Sequence, residues 1–320
     1  MSTSLRRHVL NGATMGTRWS AIVYAPSATD LPALDAALAC AVDGVDRQMS
    51  TWKPDSDLMR LNAASPGSWV SLPRELMRVL AKGLEIGRLS GGAFDIGVGR
   101  LVKAWGFGAA GTVPNTEAIQ AALRERLPPT HTVLELNEPG ARARKHAHFD
   151  LDLSGIAKGF AVDEMMRTVK AFGISDALVG LDGELAASGT KPDGTPWRIA
   201  VEKPDYELRS PLGTIELQDA AVATSGDYRH WIEVGGTRLS HTMDQSRGGP
   251  VDNSVASVSV VASSCMEADA WSTVLMVLGP RDGKAFAEKH GLDALLVERS
   301  EGKLRQSGIG RVFEADSTAP

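Results

Sequence analysis

Hydrophobic positions along the chain change period several times, and each change marks an element. Leu31, Leu34, Leu38, Val42, Val45 and Met49 recur at three- and four-residue spacing, which predicts an amphipathic helix over residues 31–49. Pro73 suits the first turn of a second helix, with Leu76, Val79, Leu80 and Leu84 inward, that runs to Ser90. A glycine-rich turn and a short helix near 98–105 follow. Residues 8–24 read as a strand pair broken near Gly12 and Gly16. At 149–153 the period falls to two: Phe149, Leu151 and Leu153 alternate with Asp150 and Asp152, which predicts a half-buried strand. Ser154, Gly155 and Gly159 interrupt it. Val162, Met165, Met166, Val169 and Phe172 then restore a buried helical face that stops at Gly173.

Beyond residue 175 strand patterns dominate, at 176–181, 196–202, 212–217, 222–224, 230–234, 237–242 and 255–262, with Gly, Asp and Pro between them. Helices are expected at 265–278 and 281–290, and a closing strand at 292–298. Strands and helices in mixed order predict an α+β fold acting as one compact unit. The domain is expected to span 8–313, with 1–7 and 314–320 as flexible termini.

Composition narrows the partners. The 320 residues and 43% hydrophobic content supply one large core or two modest lobes. A net charge of -5 without a basic stripe gives no sign of a nucleic-acid surface, so an anionic ligand would be held by local groups. The two cysteines, Cys40 and Cys265, form no zinc pattern and read as buried thiols. The N-terminal stretch MSTSLRRHVLNGATMG has no apolar region behind its arginines, and no segment approaches the ~18 apolar residues of a membrane span. The expected compartment is the cytoplasm, or the periplasm if a signal had been removed.

Several stretches carry candidate chemistry. In DLSGIAKGFAVD, free N–H groups at a helix start, Lys158, and the glycines at 155 and 159 suit a phosphate; a tight turn with a solvated lysine explains them equally well. In SSCMEADAWSTVLMVLG, Ser264 and Glu267 have capping-box spacing. Asp269 and Thr273, one turn apart, share a face and offer two oxygens to a hard cation such as magnesium; ordinary helix capping and back-bonding by the same pair is the alternative. The segment SGGAFD could present backbone groups and Asp95 to a ring, or bury Phe94 as core. Trp52 precedes the turn Lys53-Pro54-Asp55 and either stacks on a planar ligand or anchors a loop. His241 ends a strand before an acid and a glycine-rich loop, where an imidazole can take a proton from a hydroxyl.

The order of these stretches is more specific than any one of them. MGTRWS, MSTWKPDSDL-x-x-LN, SGGAFD-x-x-VG-x-LV-x-x-WGFG, DLSGIAKGFAVD, SGDYRHW, SHTMD and MEADAWST-x-L together closely resemble the ApbE family, the FAD:protein FMN transferases, from about Met15 to Gly279. The resemblance implies an α+β, T-fold-related architecture of largely antiparallel sheets packed with helices. It implies binding of FAD and Mg2+, and transfer of the FMN half of FAD to a Thr or Ser hydroxyl of a target flavoprotein, releasing AMP. A metal-dependent FAD pyrophosphatase, or a non-catalytic FAD-binding accessory protein, are the alternatives.

By the same resemblance, Met15, Trp52, Ala93, Phe94, Asp95, Asp152, Lys158 and Met243 fall at FAD-contacting positions. Gly155 through its carbonyl, Asp269 and Thr273 fall at metal positions, and His241 is the candidate base. Four positions depart from the family pattern: Trp52 for a common Tyr, Ser272 for an acid found in some members, Gln245-Ser246-Arg247-Gly248 for Pro-x-Thr-Gly, and Asp182-Gly183-Glu184 for Gly-Gly-Glu or Gly-Gly-Asp.

Overall fold

The computed structural model describes residues 5–108, 113–125 and 127–314. The chain opens with a hairpin of β1 (Leu5–Thr14) and β2 (Thr17–Pro26), then α1 (Leu31–Met49) and α2 (Asp57–Ala63). β3 (Trp69–Ser71), α3 (Arg74–Leu89), α4 (Gly99–Ala104), α5 (Thr116–Arg124), α6 (Thr130–Val133), β4 (Leu134–Asn137) and β5 (Arg142–Lys145) complete the first half. The second half runs α7 (Ala157–Ala171), β6 (Asp176–Leu181), β7 (Glu184–Ser188), β8 (Trp197–Glu202), β9 (Pro211–Leu217) and β10 (Ala220–Gly226). It continues through β11 (Trp231–Val234), β12 (Thr237–Ser240), β13 (Met243–Asp244), β14 (Gly249–Pro250), β15 (Val255–Ala262), α8 (Cys265–His290), β16 (Asp293–Ser300), β17 (Lys303–Ile309) and α9 (Arg311–Glu314).

The main sheet has the order β1-β2-β6-β7-β10-β15-β16-β17, and every neighbouring pair is antiparallel. Its strands alternate apolar residues to both faces. Trp19, Ala21, Val23 and Ala25 of β2 join one cluster with α1, α7 and α8, whereas Ile22 and Tyr24 turn to the other side. There they meet Trp197, Ile199, Val201, Ile215 and Leu217 of the β8–β9 hairpin. The result is three layers: helices, sheet, and a small two-stranded cover. Alternation to two apolar surfaces is what a strand buried on both sides requires.

The helices follow their sequence signals. Leu34, Leu38, Val42, Val45 and Met49 of α1, and Leu76, Val79, Leu80 and Leu84 of α3, are all buried. Asp30 caps α1 by accepting from the Ala33 N–H. The two helices expected at 265–278 and 281–290 both form within α8, which breaks at Gly279 with φ +78 and ψ -178 before Pro280.

Several expectations are corrected. The alternating residues 149–153 join no sheet: Phe149, Leu151 and Leu153 are all buried, as is Asp152. The Asp152 N–H donates to the Ile96 carbonyl at 2.8 Å and the Asp150 carbonyl accepts from the Gly99 N–H at 2.9 Å, while the Asn62 side chain takes the place of a neighbouring strand for Leu151, accepting from its N–H at 2.7 Å and donating to its carbonyl at 3.0 Å. Alternation alone could not distinguish an amide side chain from a strand as partner. Gly12 does not break the first strand pair; it lies under the Trp19 indole across the ladder, and only Met15-Gly16 turns. Strand β16 does not close the chain, because the polar edge strand β17 follows it. β1 begins at Leu5, ahead of the expected domain start at residue 8, and Glu314 belongs to α9. Residues 1–4 and 315–320 lie outside the described residues. Cys40 is exposed instead of buried, and Phe172 is 38% exposed at the end of α7.

Candidate active site

The site is built where α7 crosses α8. Gly159 in the first turn of α7 donates its N–H to Asp269 Oδ2 at 3.0 Å. A Cβ on Gly159 would sit well inside contact of the Cys265 carbonyl oxygen and 2.8 Å from Asp269 Cβ, so only glycine allows this approach. α8 is fixed at its start. Asp163 of α7 accepts from the Cys265 and Met266 N–H groups, and Ser264 accepts from the Glu267 N–H. Only half of the expected capping box forms, because the Glu267 carboxylate pairs with Lys82 at 3.0 Å.

This crossing gathers residues far apart in sequence. A Cβ added at Gly155 would lie 3.0 Å from Thr273 Oγ1 and 3.3 Å from the Phe94 ring. Ser225 of β10 adds a hydroxyl 3.3 Å from Thr273 Oγ1; it opens the SGDYRHW stretch but is not among the candidate site residues read from the sequence. Ser272 is fully buried, and its hydroxyl is spent between the Asp269 carbonyl and Ser225, each at 2.8 Å.

Lys158 stands beside Asp269 in the first turn of α7. Its Nζ lies 2.6 Å from Glu184 Oε1 and 3.7 Å from Asp182 Oδ2. Burial alone would lower the ammonium's pKa, but Glu184, Asp269 and Asp182 together hold it above its ordinary value. Burial pushes the Glu184 carboxyl up, Lys158 pulls it back, and the charge of Asp269 adds to the rise. Burial likewise pushes Asp269 up to about 6, against the pull of Lys158 and the Gly159 N–H.

His241 follows β12 and returns beside His230. Its backbone N–H donates to the His230 carbonyl, and its Nδ1 lies 3.1 Å from the same oxygen. A carbonyl only accepts, so Nδ1 carries the proton and Nε2 presents a lone pair. Burial, the His230 ring and Lys158 push its pKa down to about 4. The imidazole is therefore neutral at pH 7.

The other candidate positions differ in how directly they join this cluster. Met15 opens the β1–β2 turn at φ +46 and packs half-buried on the core. Ala93 packs half-buried beside Phe94 in the same core, and Met243 is buried in the β13–β14 pair. Asp152 is buried and accepts from the Ser154 N–H at 2.8 Å, bracing the turn before α7. Asp95 is engaged within the protein: it accepts from the Gly97 N–H, the Thr130 N–H and the Thr130 hydroxyl, so it holds the start of α6. It still borders a cavity of about 270 Å3 with Gly91, Gly92, Gln245, Ser246 and Gly248. Trp52 is 66% exposed at its loop edge, and no hydrogen bond or ring contact among the described residues joins it to the cluster.

A family model described as the ApbE family matches residues 15–296. The chain belongs to the ApbE family. Among curated relatives, the FAD:protein FMN transferase of Klebsiella pneumoniae (strain 342) is 36% identical over 92% of this chain and 85% of its own length. That of Escherichia coli (strain K12) is 34% identical over 91% and 84%. Two solved structures superpose with a TM-score of 0.86: flavin transferase ApbE from Vibrio cholerae, 32% identical over 97% of this chain and 99% of that one, and the apo Pseudomonas stutzeri flavinyl transferase ApbE, 35% identical over 99% and 98%. The α+β fold expected from the sequence is the ApbE fold. No helix among the described residues is long and apolar enough to cross a membrane.

Where this chain departs from the ApbE pattern, other contacts support the backbone. In the loop after Asp244, the carboxylate accepts from the Ser246 and Arg247 N–H groups, and Gly248 turns at φ +71. The Trp105 indole donates to the Gly248 carbonyl at 3.2 Å. Asp182 adopts φ +50 in the two-residue turn between β6 and β7, a conformation Asp tolerates.

The donor set fits a hard divalent cation. Three carboxylates, Asp182, Glu184 and Asp269, surround the single ammonium of Lys158, an excess of negative charge that a cation would relieve. Among the described residues no group of three or more His, Cys, Asp or Glu forms a metal cage. One carboxylate, one hydroxyl and one carbonyl instead suit an ion that keeps waters and shares phosphate oxygens.

Proposed function

We propose that this protein transfers the FMN half of FAD to a threonine or serine hydroxyl of a target flavoprotein, with magnesium bound and AMP released. The observation that supports it most is the α7–α8 crossing, which gathers Gly155, Lys158, Asp269 and Thr273, with the neutral His241 imidazole feeling the charge of Lys158. FAD contacts are assigned to Met15, Trp52, Ala93, Phe94, Asp95, Asp152, Lys158 and Met243. The Gly155 carbonyl, the Asp269 carboxylate and the Thr273 hydroxyl would hold Mg2+. Bound there, the ion would neutralise phosphate oxygens and stabilise the charge that develops on the departing AMP.

The chain's own residues do the rest. Lys158 supplies fixed positive charge against the diphosphate. His241 accepts the acceptor's hydroxyl proton at Nε2 while Nδ1 stays on the His230 carbonyl, which fixes the ring's tautomer and orientation. The acceptor oxygen forms a bond to the flavin-side phosphorus as the bond to the AMP phosphate breaks.

Incubation with FAD and magnesium, with and without an acceptor fragment carrying Asp-x-x-Ser/Thr-Gly-Ala-Ser/Thr, tests this reading. Flavin fluorescence retained on the denatured fragment is the expected result. AMP release without labelling would establish hydrolysis instead, and FAD binding without either product would establish an accessory role.

A further inference from the structure

The carboxylate that opens β7 has no part in the chemistry above, yet it is among the most deeply buried charges of the site. Glu184 is 2% exposed, its Oε1 lies 2.6 Å from Lys158 Nζ, and its Oε2 has no hydrogen-bond partner among the described residues. A buried ion pair is a poor source of stability, because desolvating both groups offsets their attraction. A carboxylate kept in such a place, with one oxygen unsatisfied, calls for another reason.

Lysine geometry supplies one. Its ammonium rides on a flexible four-carbon stem and has three donors but no inherent direction. Here two carboxylates aim it. Glu184 and Asp182 flank the tight β6–β7 turn, and both reach the one Nζ. Asp182 is itself fixed, by its left-handed backbone and by the Thr17 hydroxyl, which donates to its Oδ1 at 3.2 Å. Because α7 packs on β6 and β7, the turn serves as a jig that holds the lysine from below.

We propose that Glu184 is a positioning residue that holds the Lys158 ammonium in the direction from which it meets the diphosphate of FAD. Glu184 acts through Lys158 and touches no reacting atom. Asp182, standing where the family pattern has Gly, is a second and more exposed stay on the same ammonium. The inference rests on the reading that this site takes FAD.

A double-mutant cycle on FAD affinity tests it, read by flavin fluorescence titration without an acceptor. Removing a negative charge near a diphosphate should by itself tighten binding. Positioning makes the opposite prediction: Glu184→Gln weakens FAD about tenfold while Lys158 is present. In the Lys158→Met background the same change leaves affinity unchanged or improves it. Glu184→Asp keeps the charge but withdraws it by one carbon–carbon bond, about 1.5 Å. It should also weaken FAD only when Lys158 is present, which covers the case in which Glu184→Gln does not fold. Equal effects in both lysine backgrounds, or tighter binding in both, would overturn the proposal. If the wild-type protein binds no FAD, the underlying reading of the site fails instead.

Discussion

His241 can take a proton at neutral pH because its ring is already neutral there. Folding lowers its pKa from the ordinary 6.5 to about 4, so the base form persists down to mildly acid pH. The transfer rate should therefore show no loss from this group between pH 8 and 5.5, and should fall as pH approaches 4. His241→Ala should lower kcat by about 10²–10⁴-fold while FAD affinity changes less than about threefold; equal losses in both would mean that the ring binds FAD instead. Asp269 carries the opposite sign. Its folded pKa is raised from 3.8 to about 6, so ionised Asp269 opposes folding of the metal-free protein above that pH. Asp269→Asn should leave the metal-free Tm at pH 7 unchanged or raise it by about 3 °C, and should abolish the Tm increase that the proposed magnesium site predicts for wild type. Thermal scans with and without magnesium decide this.

Elements matter here chiefly through how closely two helices meet. α7 and α8 touch backbone to side chain because Gly159 lacks a Cβ. Gly159→Ala must push them apart, at about 1–3 kcal/mol by the cost of overpacking. It should also lose the magnesium-dependent Tm shift, since Asp269 moves with α8; denaturant midpoints with and without the ion measure both effects. Much of this level was legible beforehand. The apolar faces of α1 and α3, the Ser264 cap, the Gly279-Pro280 break and the shared face of Asp269 and Thr273 each depend on spacing within one element. Strand β7 was not legible, because ELAAS has almost no β-branched or aromatic character and is made a strand by its neighbours. The extended run 149–153 failed for the converse reason: its period was that of a strand, but its hydrogen bonds go to the Asn62 side chain and to the irregular backbone at Ile96 and Gly99, not to a sheet.

In the whole molecule, the three layers separate stability from chemistry. The β8–β9 cover packs on the face of the sheet opposite α7 and α8, with Trp197 buried beneath it and its indole N–H donating to the Ser188 carbonyl at 3.2 Å. Trp197→Ala should cost about 3–5 kcal/mol of stability. FAD affinity, measured well below the lowered Tm, should stay within about twofold. A large loss of affinity would mean that the cover and the site are coupled through the sheet.

By itself the sequence determined the helical faces, most of the strands, the family, and the short stretches that carry the candidate site residues. These are properties of local spacing and of residue order. Only the tertiary structure decided which side chains meet: that Gly155 lies against Thr273, that Lys158 is pinned by Glu184 and Asp182, and that Asp95 is turned to Thr130. Those partners are tens of residues or more apart in the chain. Contacts at such separation are set by the packing of helices on a sheet, which no local period encodes.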